Sequence, residues 1–225
     1  MTPASHILAF DVNETLLDLS PLDARFERHL GDGSLRGQWF AQMLQLSFVG
    51  AITDQYVDFT TAQRAALVLV AGRAGVELSD TAAAEIVGGM RELPPHPEVA
   101  GALTRLRDAG FTLAALTNSP LDVSRAQLDH AGLSDRFDAI LSADQVRALK
   151  PRREPYELVA QTFDVKVADV RLIAAHAWDI TGALAAGCAA AFVARPGMAL
   201  SPIGARPDIV GTDIDDVAAQ IIAAA

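Results

Sequence analysis

The sequence predicts an α/β protein with a doubly wound parallel-sheet core and a helical cap inserted after the first strand. Three observations support this fold class. Residues 6–10 form a short apolar stretch, residues 16–97 show helical periodicity throughout, and from residue 98 onward helical and strand patterns alternate. Strands separated by helices form right-handed βαβ units, and therefore a parallel, Rossmann-like sheet. We expect a core domain of residues 1–15 and 98–225 and a cap domain of residues 16–97.

The first strand leads directly to a carboxylate. Residues 7–10 carry no charge, as is typical of a parallel strand covered on both faces, and Asp11 follows them. In the segment that comes next, Phe40, Met43, Leu44 and Phe48 recur at intervals of three and four, which gives their helix one core-facing side. Prolines within residues 93–97 end the segment. The helices predicted there span residues 21–30, 35–52, 58–74 and 79–91.

The second part of the chain supplies the other strands of the sheet. Gly110 and Gly132 mark the ends of its first two helices, because glycine readily adopts the left-handed conformation found there. The predicted helices span residues 97–109, 120–131, 155–163, 180–186 and 214–224. The predicted strands span residues 112–116, 139–142, 170–174, 190–193 and 209–210.

Composition and charge exclude several classes of partner. The chain is 51% hydrophobic and 20% charged, which is typical of a globular protein. Its 18 basic and 28 acidic residues give a net charge of −10 without a basic cluster, so we expect no nucleic-acid and no membrane partner. A small anionic substrate is compatible with this charge, because a local cation dominates at short range. The single cysteine, Cys188, cannot form an internal disulfide, and we expect a soluble, cytoplasmic protein.

Polar residues collect where successive predicted strands end. Each has an ordinary explanation by itself: a lysine is usually a surface charge, Asn and Ser often cap helices, and a buried histidine is often only a satisfied core residue. The carboxyl ends of parallel strands lie side by side, however, and ligands bind there in open α/β sheets. We therefore expect one crevice to contain the following residues: Asp11, Thr15, Thr117, Asn118, Ser119, Lys150, His176 and Asp179.

The order of these residues resembles that of the haloacid dehalogenase superfamily of hydrolases over essentially the whole chain. Within the superfamily it is most similar to the 2-haloacid dehalogenases (type II). Lys150 is followed six residues later by Tyr156, and residues 177–179 read Ala-Trp-Asp, as in those enzymes. Asn13 and Ala175 stand where the phosphatase members carry a general acid and a magnesium ligand. Neither side chain offers the proton or the carboxylate oxygens that phosphoryl transfer requires.

The resemblance implies hydrolytic dehalogenation of a small 2-haloalkanoic acid, without a cofactor or a metal, by a homodimer. Asp11 would attack the carbon that carries the halogen and form an aspartyl ester, Lys150 would stabilise the charges, and Asp179 would orient Lys150 and help to position water. Tyr156 would position Asp11 or the substrate. The substrate carboxylate would bind Thr15, Thr117 and Asn118 and the nearby backbone amides. Aromatic side chains would keep the site dry: Phe40, Tyr56, Phe59 and Trp178.

Two departures from the dehalogenase pattern involve three positions. Phe40 occupies the place of the cap arginine that grips halide or substrate, and Arg36 is close enough in sequence to substitute for it. The expected Ser and Asn before residue 177 are replaced by Ala174 and His176. His176 could act as a replacement cation or as a base that activates water, since imidazole titrates near neutral pH. A magnesium-dependent, phosphatase-like hydrolase and a non-catalytic protein that kept the fold remain alternatives.

Overall fold

The computed structural model describes residues 6–225, and a parallel sheet forms the centre of this part of the chain. Its strands are β1 (Ile7–Phe10), β2 (Thr112–Thr117), β3 (Ala139–Ser142), β4 (Val170–Ala174), β5 (Ala189–Val193) and β6 (Ile209–Gly211). They lie in the order β3-β2-β1-β4-β5-β6, and each neighbouring pair is parallel. This is the strand order of a doubly wound Rossmann-like sheet, so the predicted fold class is confirmed.

Four of the five α-helices between β1 and β2 lie within residues 16–97. They are α1 (Asp23–Leu30), α2 (Leu35–Ile52), α3 (Phe59–Arg73) and α4 (Asp80–Gly88). Side chains of Asp58 and Ser79 cap the starts of α3 and α4 by accepting hydrogen bonds from backbone amides. These four helices form the segment that the sequence predicts as a cap.

Five further helices alternate with the remaining strands. They are α5 (Val99–Asp108), α6 (Leu121–His130), α7 (Arg153–Thr162), α8 (Ala177–Ala186) and α9 (Ile214–Ala224). The predicted bounds of α2, β3, β4 and α9 agree at both ends, but α8 begins three residues before the predicted start. Only two residues separate β4 from α8, so Trp178 and Asp179 lie in the first turn of that helix rather than in a loop.

The sheet separates two hydrophobic clusters. Leu8 and Phe10 of β1 belong to the cluster that includes the cap helices, α5 and α9, whereas Ile7 and Ala9 belong to the cluster under α7 and α8. All four side chains are buried, which explains why this strand is apolar without alternation. Among residues 6–225, no helix combines the length and apolar character needed to span a membrane.

The position of β1 determines where Asp11 lies. Phe10 pairs with Ala115 of β2 on one side and with Ile173 of β4 on the other. The amide of Asp11 then donates a hydrogen bond to the carbonyl of Ile173 at 3.0 Å. The carboxylate therefore stands at the middle of the sheet's carboxyl edge, between the loops that follow β2 and β4.

Candidate active site

Asp11 is buried, and both of its carboxylate oxygens are hydrogen bonded. Lys150 Nζ donates to Oδ1 at 2.9 Å, and Thr15 Oγ1 donates to Oδ2 at 2.6 Å. The Thr15 hydroxyl oxygen also accepts a bond from the amide of Ala175 at 2.9 Å, which ties the loop after β1 to the end of β4. The side chain of Asp11 is thereby fixed from two directions.

Lys150 is buried between two carboxylates. Its Nζ donates to Asp11, to Asp179 Oδ2 at 2.6 Å and to the carbonyl oxygen of Leu116 at 2.9 Å, so all three ammonium hydrogens have acceptors. The side chain of Asn118 holds the Lys150 backbone: its Oδ1 accepts from the Lys150 amide at 2.8 Å and its Nδ2 donates to the Lys150 carbonyl at 3.2 Å. Asn118 therefore orients the segment that carries Lys150.

Tyr156 contacts Asp179 rather than Asp11. Its hydroxyl group donates to Asp179 Oδ1 at 2.6 Å, while Lys150 occupies the other carboxylate oxygen. Tyr156 and Asp179 are both fully buried. The structure thus places Tyr156, Asp179, Lys150 and Asp11 in one continuous row of hydrogen bonds.

The charges in this row oppose the effect of burial on the pKa values. Burial would raise the pKa of Asp11, but Lys150 and His176 hold it well below its usual range. Burial would lower the pKa of Lys150, but Asp11 and Asp179 raise it. Burial and the charge of Asp11 raise the pKa of Asp179 against the effect of Lys150. Asp11 is therefore ionised at neutral pH in a site that excludes most water.

His176 contacts the carboxylate oxygen of Asp11 that Lys150 does not bind. Its Nδ1 lies 3.1 Å from Asp11 Oδ2, and its Nε2 lies 2.9 Å from Glu14 Oε2. Burial would lower the pKa of His176, but the hydrogen bonds and charges of these two carboxylates raise it to about 9. The imidazole is therefore protonated at neutral pH and forms an ion pair with each carboxylate.

Aromatic rings enclose the imidazole and line a cleft. The ring of His176 stacks on Phe40, with 5.7 Å between centroids, and on Trp178, with 5.2 Å. A cleft of about 380 Å³ lies beside these rings, and Ala175, Leu44 and Met198 are among its other lining residues. The cleft is large enough for a small organic acid.

Residues 117–119 are buried beside the row of charges. Thr117 Oγ1 accepts from the amide of Ser119 at 3.2 Å. The side chain of Asn13 donates to Ser119 Oγ at 3.3 Å and accepts from Gln127 at 2.9 Å. Asn13 thus links the loop after β1 to α6.

Among residues 6–225, no group of three or more His, Cys, Asp and Glu side chains is arranged to hold a metal ion.

Three cap residues considered from the sequence lie apart from the Asp11 carboxylate. Phe59 is buried at the start of α3 within the larger hydrophobic cluster. The hydroxyl group of Tyr56 donates to Asp144, and Arg147 lies 4.7 Å from the Tyr56 ring centre. Arg36 pairs with Asp23 at 2.5 Å and with Glu14 at 3.5 Å, so acidic groups already engage its guanidinium.

Glu14 is the residue of this site that sequence reasoning missed. Its backbone has a φ of 60°, which is uncommon for a residue with a side chain, and its carboxylate bridges His176 and Arg36. The sequence did offer one sign that Glu14 belongs to the site: it lies three residues after Asp11, in a loop at the carboxyl edge of the sheet. The partner that reveals its position, His176, lies 162 residues further along the chain.

The assembled side chains offer an ionised carboxylate, a buried cation and an apolar cleft. A carboxylate can attack a saturated carbon that carries a good leaving group, and a nearby ammonium can stabilise the oxyanion that forms when the resulting ester is hydrolysed. Neither Asn13 nor Ala175 adds an acidic group. The arrangement suits displacement of a leaving group that needs no proton.

Comparison with known proteins agrees with this geometry. The family model described as haloacid dehalogenase-like hydrolase matches residues 6–187. An (S)-2-haloacid dehalogenase of Xanthobacter autotrophicus is 33% identical over 84% of this chain and 74% of its own length. Another, from Pseudomonas sp. (strain YL), is 30% identical over 89% and 88%.

Solved structures show the same likeness over nearly the whole length. The L-2-haloacid dehalogenase from Xanthobacter autotrophicus superposes with a TM-score of 0.91 and 28% identity, covering 98% of this chain and 99% of that one. A second structure of that enzyme, with chloropropionic acid covalently bound, superposes equally well. The resemblance drawn from the motifs is confirmed, and the chain belongs to the haloacid dehalogenase-like hydrolases.

Proposed function

We propose that this protein hydrolyses the carbon–halogen bond of a small 2-haloalkanoic acid and releases halide and a 2-hydroxy acid. The observation that carries this proposal is the buried Asp11 carboxylate, which Lys150 contacts at 2.9 Å and keeps ionised, and whose other partner, His176, lines an apolar cleft. The relatives named (S)-2-haloacid dehalogenases support the same reaction.

In the first step, one oxygen of Asp11 attacks the carbon that carries the halogen. A new carbon–oxygen bond forms while the carbon–halogen bond breaks, and the halide leaves with the electron pair. Halide needs no proton, so a general acid beside Asp11 is not required. The Xanthobacter autotrophicus structure with chloropropionic acid covalently bound supports an intermediate of this kind.

In the second step, water attacks Cγ of the Asp11 ester and releases the hydroxy acid. Lys150 stabilises the oxyanion that develops on Asp11, and Asp179 and Tyr156 hold Lys150 in place. The ester carbonyl belongs to a side chain that is already fixed by Thr15, so no rearrangement of the nucleophile is needed between the steps.

We assign substrate binding to residues around the cleft. Trp178 Nε1 is buried and has no hydrogen-bond partner among the described residues, so it can donate to halide or to the substrate carboxylate. Thr117 and Asn118 would contribute through the backbone at the start of α6, where amides favour an anion. Phe40, which lines the cleft, would keep water from the reacting carbon, and Phe59 would contribute only through the hydrophobic packing of the cap.

Halide release tests the proposed reaction. The protein is incubated with fluoro-, chloro- and bromo-substituted short 2-haloacids in the presence of EDTA, and Asp11→Asn and Asp108→Asn are assayed beside it. We expect release by the parent protein and by Asp108→Asn, whose exposed side chain lies at the end of α5, but not by Asp11→Asn. Absence of release from every substrate would refute the proposal.

We also propose a cytoplasmic homodimer with residues 16–97 as a cap on a core of residues 1–15 and 98–225. Exposed apolar side chains on α2 and α3 support the dimer: Val49, Ile52, Val68 and Leu69. Light scattering of Ile52→Glu tests it, since a charge there should yield monomers.

The buried free thiol of Cys188, whose pKa burial raises to about 12, fits a reducing compartment, and cell fractionation tests the location.

A further inference from the structure

Glu14 and His176 form a carboxylate–imidazole pair that points at the reacting carboxyl group. Glu14 Oε2 is 2.9 Å from His176 Nε2, and His176 Nδ1 is 3.1 Å from Asp11 Oδ2. The imidazole is buried, and Arg36 holds the other oxygen of Glu14 at 3.5 Å. The reaction assigned to Asp11 and Lys150 makes no use of this pair.

We propose that His176 is the general base for hydrolysis of the aspartyl ester and that Glu14 is the positioning residue that holds its imidazole. This inference rests on the proposed dehalogenation, and it assigns the activation of water within that reaction. Glu14 and His176 then act together, because the carboxylate of Glu14 holds the imidazole in the orientation that the reaction needs.

The geometry fixes which nitrogen can act. Glu14 accepts a hydrogen bond from Nε2, so the proton of the neutral imidazole resides there and Nδ1 carries the lone pair. Nδ1 lies 3.1 Å from Asp11 Oδ2, so a water that binds Nδ1 once the ester has formed would lie next to the ester group. The rings of Phe40 and Trp178 both stack on the imidazole and restrict its orientation.

Formation of the ester converts His176 from an acid into a base. Before reaction, Asp11 and Glu14 both stabilise the imidazolium. Ester formation removes the negative charge of Asp11, so Glu14 becomes the single carboxylate that contacts the ring among the described residues. Two cations remain nearby: Arg36 pairs with Glu14, and Lys150 contacts Asp11. The pKa of His176 then falls, and its Nδ1 proton leaves through the cleft that the ring lines.

The proton transfers in the hydrolytic step balance. His176 Nδ1 takes a proton from water while the water oxygen bonds to Cγ of Asp11. The tetrahedral intermediate collapses, the bond from Cγ to the hydroxy-acid oxygen breaks, and that oxygen takes the proton from Nδ1. Asp11 is left as a carboxylic acid and passes its proton to His176, which restores the resting ion pair. Over the whole cycle, water and the haloacid give the hydroxy acid, a halide ion and one proton.

Rapid-quench kinetics with 2-chloropropionate test the inference in the full-length protein. Chloride release reports the first step, 2-hydroxy acid release reports the second, and intact-protein mass spectrometry measures the ester. The variants are His176→Gln and Glu14→Gln. His29 and Glu85 form a comparable pair away from the site, with 3.0 Å between Nε2 and Oε2, so His29→Asn and Glu85→Gln are the matched controls.

We expect each site variant to release a burst of about one chloride per chain and then to accumulate ester. Ester hydrolysis should slow by about 10²–10⁴-fold in His176→Gln, the usual contribution of a general base, and by less in Glu14→Gln, which keeps the imidazole. The control variants should match the parent protein. A merely structural role would slow both steps together and leave no ester.

Three outcomes overturn the inference. They are unchanged turnover in His176→Gln, loss of chloride and hydroxy-acid release in equal proportion, and ester accumulation in the control variants. Circular dichroism at the assay temperature shows that each variant is folded. Absence of chloride release by the parent protein would instead refute the dehalogenation itself, so the two failures are distinguishable.

Discussion

Replacing Lys150 with Met tests whether the buried row of charges is held together by one ammonium group. Lys150 Nζ makes three hydrogen bonds, two of them to the carboxylates of Asp11 and Asp179, and its side chain is fully buried. Methionine fills similar volume without the charge. Removing one partner of a buried ion pair typically lowers the free energy of unfolding by about 3–5 kcal/mol, because the remaining charge is left uncompensated. Here Asp11 and Asp179 both lose this contact, although His176 still pairs with Asp11, so we expect a loss within this range at pH 7.5.

The pH dependence of the loss identifies its cause. In the parent protein the pKa of Asp11 is lowered, so the carboxylate contributes stability above about pH 4 that is lost as the pH falls. In Lys150→Met the pKa of Asp179 rises further above its unfolded value, because burial is no longer opposed by Lys150, whereas His176 still lowers the pKa of Asp11. The folded state therefore takes up a proton at Asp179 before the unfolded state does. The difference in stability between parent and variant should therefore narrow from pH 7.5 to pH 5.5.

Urea unfolding at the two pH values measures both quantities. Lys166→Met is the control, because Lys166 is the other lysine of the chain and is exposed, and it should change stability by less than about 0.5 kcal/mol. A loss below about 1 kcal/mol for Lys150→Met at pH 7.5, or a difference that widens as the pH falls, would refute the charge arrangement described for the site.

Three further predictions concern neighbouring residues. Tyr156→Phe removes the hydroxyl that donates to buried Asp179 at 2.6 Å and should lower the free energy of unfolding by about 1–3 kcal/mol in urea titrations. Because the pKa of His176 is raised to about 9, its contribution to stability is complete below about pH 6.5 and is lost as the pH rises through 9. The free energy of unfolding of the parent should therefore exceed that of His176→Gln by about 3 kcal/mol less at the upper end of this window than at the lower end. A difference that grows with pH would contradict the ion pairing. A methyl group at Gly182 would lie 2.5 Å from the Tyr156 hydroxyl oxygen, so Gly182→Ala should lower stability by about 1–3 kcal/mol, whereas Gly101→Ala, with open space around it, should raise it by about 0.5–1 kcal/mol.

Most of the fold follows from local patterns in the sequence. The uninterrupted apolar run of β1 predicts a strand buried on both faces, and the side chains of Leu8 and Ile7 do enter different hydrophobic clusters. The start of α8 was placed too late because no side chain caps it. His176 occupies the cap position without such a bond, and Asp179 is the acidic residue of the first turn, which by itself is a weak start signal.

The site could be predicted only to the level of strand ends. Strand-end logic places Asp11, Lys150, His176 and Asp179 in one crevice, and the structure brings these side chains together. It does not determine their partners. Tyr156 donates its hydrogen bond to Asp179 and not to Asp11 because of how α7 packs against α8, and local periodicity does not encode that packing.

The departures from the dehalogenase pattern at residues 40 and 176 are one coupled change rather than separate losses. The imidazole of His176 lies almost parallel to Phe40, at an interplanar angle of 13°, and is protonated at neutral pH. An arginine at position 40 would place a second cation against that ring, and two like charges in a buried site repel each other. An uncharged aromatic ring instead packs on the imidazolium, and Glu14 supplies the charge that stabilises it. His176 thus introduces a cation where the cap arginine is absent, and Glu14 makes its burial possible.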